Sequence, residues 1–203
     1  MKPNRIFYKE KAVNLPNKLT LARVAAVPFY VIFMLRNDIP LNFFWALIIF
    51  IGASLTDMID GKIARKRGLV TDLGKFLDPL ADKILVSSAL ICFVDLQWTY
   101  SFMVIIIIGR EFIVSALRLV AAGNRDHTVI AAGIWGKLKT AATMASVCVI
   151  SIMHILTENI SVLNQDMPVI IISNVLMGIC TLLTVISGGI YLKEYRHLFT
   201  KSK

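Results

Sequence analysis

Residues 39–67 read IPLNFFWALIIFIGASLTDMIDGKIARKR. From Ile39 to Thr56 there is no charge, and the next eleven residues carry Asp57, Asp60, Lys62, Arg65, Lys66 and Arg67. A bilayer core about 30 Å thick is crossed by roughly 20 apolar residues as a helix. This stretch therefore reads as a membrane helix whose charged end lies at the membrane edge. Two more runs repeat the pattern, Thr140–Thr157, broken only by His154, and Met167–Leu192. Hydrophobic residues make up 57% of the chain, above the ~45–50% of soluble domains. At 203 residues the chain has room for one domain.

Working outward, the breakers Pro16, Pro40, Gly68, Gly123, Gly133 and Pro168 divide the sequence into six predicted membrane helices. They are Leu19–Leu35, Leu41–Arg65, Pro79–Gln97, Tyr100–Ala122, Lys137–Thr157 and Met167–Tyr195. The expected fold is all-α and polytopic. Residues 1–18 form a cytoplasmic or interfacial segment, 19–195 the six-helix catalytic domain and 196–203 a basic tail. Within residues 1–18, Ile6, Phe7, Ala12 and Val13 allow a short amphipathic helix lying on the membrane, and a solvated tail fits the same residues. The basic start does not read as a cleaved signal peptide.

Threading six helices puts 21 of the 22 basic residues on one side, leaving Arg36 on the other with Asp38, Asp95, Glu158 and Asp166. By the positive-inside rule both termini are cytoplasmic in the cell membrane. The net charge of +9 is thereby a topological signal, and no nucleic-acid partner is needed to explain it. Cys92, Cys148 and Cys180 all lie in apolar runs without metal-ligand spacing and read as core residues. His127, His154 and His197 lie away from the acidic residues and receive no catalytic role.

Asp57, Asp60, Gly61 and Ala64 are three or four positions apart and share one helix face. Asp78 and Asp82 are one turn apart at the entry to the third helix. Four carboxylates at one membrane edge repel unless they are protonated or share cations. Hard oxygen donors suit Mg²⁺ or Mn²⁺, and two pairs suit a two-metal centre acting on a pyrophosphate. Gly61 and Ala64 leave space for a nucleotide, and Arg65 can fork onto a phosphate. A solvated, salt-bridged helix end is the plain alternative, and the interleaved Gly and Arg weigh against it.

These residues match D-x-x-D-G-x-x-A-R-(x8)-G-x-x-x-D-x-x-x-D at every fixed position: Asp57, Asp60, Gly61, Ala64, Arg65, Gly74, Asp78 and Asp82. The chain thus resembles the CDP-alcohol phosphatidyltransferase family. The resemblance implies a homodimeric membrane enzyme with two divalent cations, Mg²⁺ or Mn²⁺, held by Asp57, Asp60, Asp78 and Asp82. It makes Asp82 the general base as well. It places Thr20, Arg23, Asp57, Gly61, Arg65 and Thr71 against CDP-diacylglycerol.

The fourth helix carries Gly109-Arg110-Glu111 and Arg118, with the two arginines about two turns apart on roughly one face. The fifth opens with Lys137 and Lys139. Charges inside a span usually face a cavity, so Arg110, Arg118, Lys137 and Lys139 are expected to bind a phosphate on the acceptor alcohol. Lysines reaching headgroups explain Lys137 and Lys139 equally well. The set resembles the branch of the family that uses glycerol 3-phosphate, with an inositol phosphate as the nearest rival acceptor. From another class the rival is a divalent-cation transporter, which the clustering of all four aspartates at one membrane edge disfavours.

Overall fold

The computed structural model describes the backbone of residues 15–67, 72–123, 133–159 and 166–194, and the side chains of 19–56, 80, 81, 83–118, 133–158 and 167–194. Among the described residues there are six α-helices and no strand: α1 Leu15–Leu35, α2 Asn42–Arg67, α3 Asp72–Asp95, α4 Ser101–Gly123, α5 Ile134–Asn159 and α6 Asp166–Glu194. All six expected helices are present.

Four begin earlier than the sequence pattern implied: α6 by one residue, α5 by three, and α1 and α3 by four and seven. α1 starts at Leu15, with Pro16 in its first turn, where a missing N–H leaves no bond unmade. α3 starts at Asp72, seven residues before Pro79, which therefore lies within the helix. The predicted range of the third helix begins at Pro79, yet a proline removes one i→i−4 bond without separating the flanking turns. Pro28 lies inside α1 in the same way. Gly74, Asp78 and Asp82 consequently sit on α3 rather than on an entry loop. The expected amphipathic helix within residues 1–14 and the basic tail at 196–203 lie outside the described residues.

α1 packs on both α2 and α3, while α6 packs on both α4 and α5. α2 against α5 and α3 against α4 join the two halves. Tyr30, Met34, Phe50, Leu85, Leu90, Phe93, Ile107, Val147, Ile150 and Met177 fill the centre. At one end an aromatic cluster closes the bundle: the Phe43 and Phe93 rings lie 5.0 and 5.2 Å from Trp98, and His154 stacks on it at 3.6 Å. Trp98 is held there by the C-cap of α3. Gln97 takes a left-handed φ of 61°; its N–H donates to Val94 O at 3.0 Å, and the Trp98 N–H donates to Phe93 O at 2.8 Å. These two bonds make a Schellman motif, and its usual apolar contact is the Trp98–Phe93 pair.

The distribution of polarity is inverted relative to a soluble bundle. Ile105 is 68% exposed and Ile134 81%, and Phe29, Ile171 and Leu182 are exposed too. Thr20, Ser146, Ser151, Ser173, Thr184 and Ser187 are buried. Many hydroxyls bond back to the carbonyl four residues earlier, as in Ser54 to Phe50, Thr143 to Lys139, Ser173 to Val169 and Thr184 to Cys180. That satisfies a hydroxyl inside its own helix where water is absent. Ile134–Glu158 and Met167–Glu194 are long and apolar enough to cross a membrane, and Leu19–Leu35 and Asn42–Thr56 are shorter apolar stretches. The three cysteines are free, with Cys92 and Cys180 buried and Cys148 half-buried, as expected of packing residues.

Candidate active site

The last turns of α2 carry Asp57, Asp60, Gly61 and Arg65, and the first turns of α3 carry Gly74, Asp78 and Asp82. Only residues 68–71 separate the two helices, so Arg67 and Asp72 lie within about 18 Å of each other at full chain extension. Both carboxylate pairs therefore belong to one end of the bundle. The side-chain geometry of Asp57, Asp60, Gly61, Arg65, Asp78 and Asp82, and Thr71 altogether, lie outside the described residues.

Beside this end, α1 supplies two of the residues assigned to the nucleotide. Thr20 is 1% exposed and Arg23 2%. Arg23 Nε donates to the Ala53 carbonyl at 3.2 Å, one helical turn before Asp57. The contact places a buried guanidinium between α1 and α2 where the apolar run of α2 gives way to its acidic tip.

A cavity of about 370 Å³ opens between α3, α4 and α5. Its polar lining is Lys83, Glu111, Arg118, Lys139, Thr140 and Thr143, above a floor of apolar side chains that includes Leu90 and Ile107. In an up-and-down bundle these positions coincide: the first halves of α3 and α5 lie beside the last half of α4. Lys83 follows Asp82 on α3, so the cavity begins where the acidic residues end.

One carboxylate organises the cations. Glu111 Oε1 accepts from Arg110 Nη1 at 2.8 Å and from Lys139 Nζ at 2.5 Å. Lys139 is 3% exposed, and a buried ammonium requires such a partner. Lys83 Nζ donates to Ser115 Oγ, which itself donates to the Glu111 carbonyl at 2.6 Å. Arg118 Nη2 donates to Tyr191 Oη, on α6, at 2.6 Å. Arg110 Nε and Nη2 and Arg118 Nε are buried without a hydrogen-bond partner among the described residues. Among the described residues, Glu111 is the carboxylate bonded to Arg110 and Lys139, and the cluster of cationic donors around it fits an anion.

Of the four residues assigned to the acceptor phosphate, the structure brings Arg110, Arg118 and Lys139 together. Lys137 stands apart and is exposed, because two residues along a helix turn it about 200° from Lys139. Sequence reasoning missed Lys83 and Tyr191. Lys83 had been counted only among the basic residues of its membrane side, and its position directly after Asp82 was the available signal. Tyr191 is one uncharged residue in a long apolar run and gave no signal. His154 sits against Trp98 at the far end of the bundle, consistent with its having no catalytic role; His127 and His197 lie outside the described residues. The Gly188-Gly189 pair lies within continuous α6, and Gly188 packs on the Arg110 side chain.

Comparison with known proteins identifies the family. Residues 13–186 match the family model described as CDP-alcohol phosphatidyltransferase. A Bacillus subtilis protein named CDP-diacylglycerol–glycerol-3-phosphate 3-phosphatidyltransferase is 42% identical over 192 residues, covering 89% of this chain and 94% of its own. A Rickettsia bellii protein of the same name is 33% identical over 186 residues, covering 92% and 97%. One from Haemophilus influenzae is 44% identical over 133 residues, covering 64% and 71%. With the family model matched over most of its length, and carrying the full run of aspartates on α2 and α3, this chain belongs to the CDP-alcohol phosphatidyltransferase family and is a transferase.

Proposed function

We propose that the chain transfers the phosphatidyl group of CDP-diacylglycerol to glycerol 3-phosphate, giving phosphatidylglycerophosphate and CMP. The observation that carries the acceptor assignment is the cationic cavity, in which Lys83, Arg118 and Lys139 border one space and Arg110 adjoins it. An uncharged acceptor such as inositol, or a zwitterion such as serine, leaves these cations without a full counter-charge. The named relatives use glycerol 3-phosphate. Membership of a transferase family sets aside the cation transporter.

The donor set of Asp57, Asp60, Asp78 and Asp82 is four hard carboxylate oxygen donors at one membrane edge, which fits two Mg²⁺ or Mn²⁺ ions. Bound there, the ions would offset charge on the pyrophosphate and on departing CMP. Asp82 takes the proton of the acceptor hydroxyl. The hydroxyl oxygen forms a bond to the lipid-bearing phosphorus, and the bond from that phosphorus to the CMP oxygen breaks. Thr20, Arg23, Gly61, Arg65 and Thr71 seat the nucleotide end of the donor. Arg110, Arg118 and Lys139 hold the acceptor phosphate, so that its free hydroxyl reaches toward α3.

The six helices cross the membrane with both termini and the site on the cytoplasmic side. Outward apolar faces and back-bonded hydroxyls support the spanning, and the one-sided basic residues support the direction. The donor then comes from the leaflet and the acceptor from the cytoplasm. A homodimer follows from the family resemblance, and light scattering on the solubilised protein tests it.

The deciding experiment is CMP release by purified protein with CDP-diacylglycerol and Mg²⁺ or Mn²⁺ across an acceptor panel. Glycerol 3-phosphate should exceed inositol phosphate, serine and inositol. Preference for inositol phosphate keeps the cavity and changes the acceptor; preference for serine or inositol overturns the cavity assignment.

A further inference from the structure

Tyr191 is the next-to-last residue of the charge-free run in α6 and is 2% exposed. Two guanidiniums from α4 lie against it: Arg110 Cζ is 5.2 Å from the ring centroid and Arg118 Cζ 5.1 Å. Both distances fall within the ~6 Å over which an aromatic face attracts a cation. The hydroxyl also accepts from Arg118 Nη2 at 2.6 Å. A single side chain on α6 thus fixes two arginines that are about two turns apart on α4.

Small residues leave the space for this. A Cβ at Gly188, one turn before Tyr191, would lie 3.1 Å from Arg110 Cγ. A Cβ at Gly136, at the start of α5, would lie 3.2 Å from Tyr191 Oη. α4, α5 and α6 are therefore shaped around the same group. Two guanidiniums in a low-dielectric setting repel each other, and each is a long side chain with many rotamers. Against Tyr191 both are held in place while Arg110 Nε and Nη2 and Arg118 Nε have no hydrogen-bond partner among the described residues. Donors fixed before the ligand arrives cost less ordering on binding.

We infer that Tyr191 is a positioning residue that presets Arg110 and Arg118 for the phosphate of the acceptor, with Gly136 and Gly188 shaping its seat. This rests on the proposed reading of the cavity as the acceptor-phosphate site. In this reading Tyr191 acts through the two arginines, so its removal weakens capture of the acceptor and spares the chemical step.

The test is steady-state CMP release by the purified full chain in mixed micelles, with glycerol 3-phosphate varied at saturating CDP-diacylglycerol. Tyr191→Leu should raise the KM for glycerol 3-phosphate about ten- to thirtyfold, with kcat and the CDP-diacylglycerol KM held within roughly twofold. Inhibition by inorganic phosphate should weaken in parallel. Tyr191→Phe keeps the ring and should restore most of the affinity, leaving about a threefold rise in KM. An unchanged acceptor KM in Tyr191→Leu overturns the inference, as does a fall in kcat that matches the rise in KM, which marks a general packing role. If Tyr191→Leu is not recovered from membranes, Tyr191→Phe decides, and a wild-type acceptor KM counts against the inference. Failure of the unaltered protein to use glycerol 3-phosphate, or to be inhibited by phosphate, is a separate result that removes the cavity reading itself.

Discussion

The bundle carries two groups of charged residues, the aspartates proposed to hold metal and the cations of the cavity, and they are built on opposite plans. The acidic site is local: four aspartates on two successive helices joined by four residues. The cationic cavity is assembled from distant parts of the chain: Lys83 on α3, Arg110 and Arg118 on α4, Lys139 on α5, with Tyr191 of α6 behind them. A local site is specified by spacing, because helix periodicity alone puts residues three and four apart on one face. A dispersed site is specified by packing, because only the contacts among α4, α5 and α6 bring its members within reach. The same contrast separates their chemistry. The acidic site collects like charges that call for cations from solution, whereas the cavity carries its own partial neutralisation in Glu111.

Variants at the two sites should therefore fail differently. The largest effect is expected at the acidic site: Asp82→Asn should lower kcat by about 10³-fold, the range for loss of a positioned base, while CDP-diacylglycerol still binds. Rapid turnover by that variant, measured as CMP release, would remove Asp82 from its role. Next comes the cavity: Arg118→Ala should raise the KM for glycerol 3-phosphate about 10–100-fold, as expected for a lost charge-assisted contact of ~1.5–3 kcal/mol. An unchanged KM would exclude Arg118 from the acceptor site.

Glu111→Gln tests whether the cavity is balanced in advance. With the carboxylate gone, Lys139 and Arg110 lose their shared counter-charge. The protein should be less stable by about 1–3 kcal/mol in anion-free buffer. Added phosphate should then raise its Tm by more than it raises that of the unaltered protein, because the anion supplies the missing charge. Equal thermal shifts would contradict that balance.

The smallest effect is expected far from both sites. Arg36 and Asp38 form an exposed pair at 2.7 Å beyond the end of α1, and hydrogen bonds from the Arg36 guanidinium pull the Asp38 carboxyl down to about 2. A lowered carboxyl favours the folded state above the ordinary carboxylate range, and its contribution disappears as pH falls toward about 2. At neutral pH the pair is intact but solvent-screened, so Asp38→Asn should leave CMP release within roughly twofold. A larger loss would tie the far end of the bundle to the site.

How much could be read in advance follows from the same distinction. The helices were legible because long uncharged runs have few alternatives, and their two largest errors, at the starts of α1 and α3, fell beside prolines. Pro79 opened the predicted range and proved to be inside α3, since one lost backbone bond is tolerated when the turns on both sides are otherwise satisfied. In the cavity, Arg110 and Arg118 were legible because charge inside an apolar run needs a reason. Lys137 and Lys139 were indistinguishable by composition, and only their opposite directions on α5 separate the exposed lysine from the buried one. Tyr191 was not legible, being one uncharged residue in an apolar run, and Lys83 offered only its position directly after Asp82.

The sequence by itself determined the all-helical class, the one-sided placement of basic charge and the order of aspartates and glycines that marks the family, because each depends on residue type and spacing along a single helix or its neighbour. Only the tertiary structure decided which cations share a space, which carboxylate balances them and which aromatic ring holds two arginines. Those are relations between helices, and their physical cause is the close packing of side chains separated by as many as eighty residues of chain.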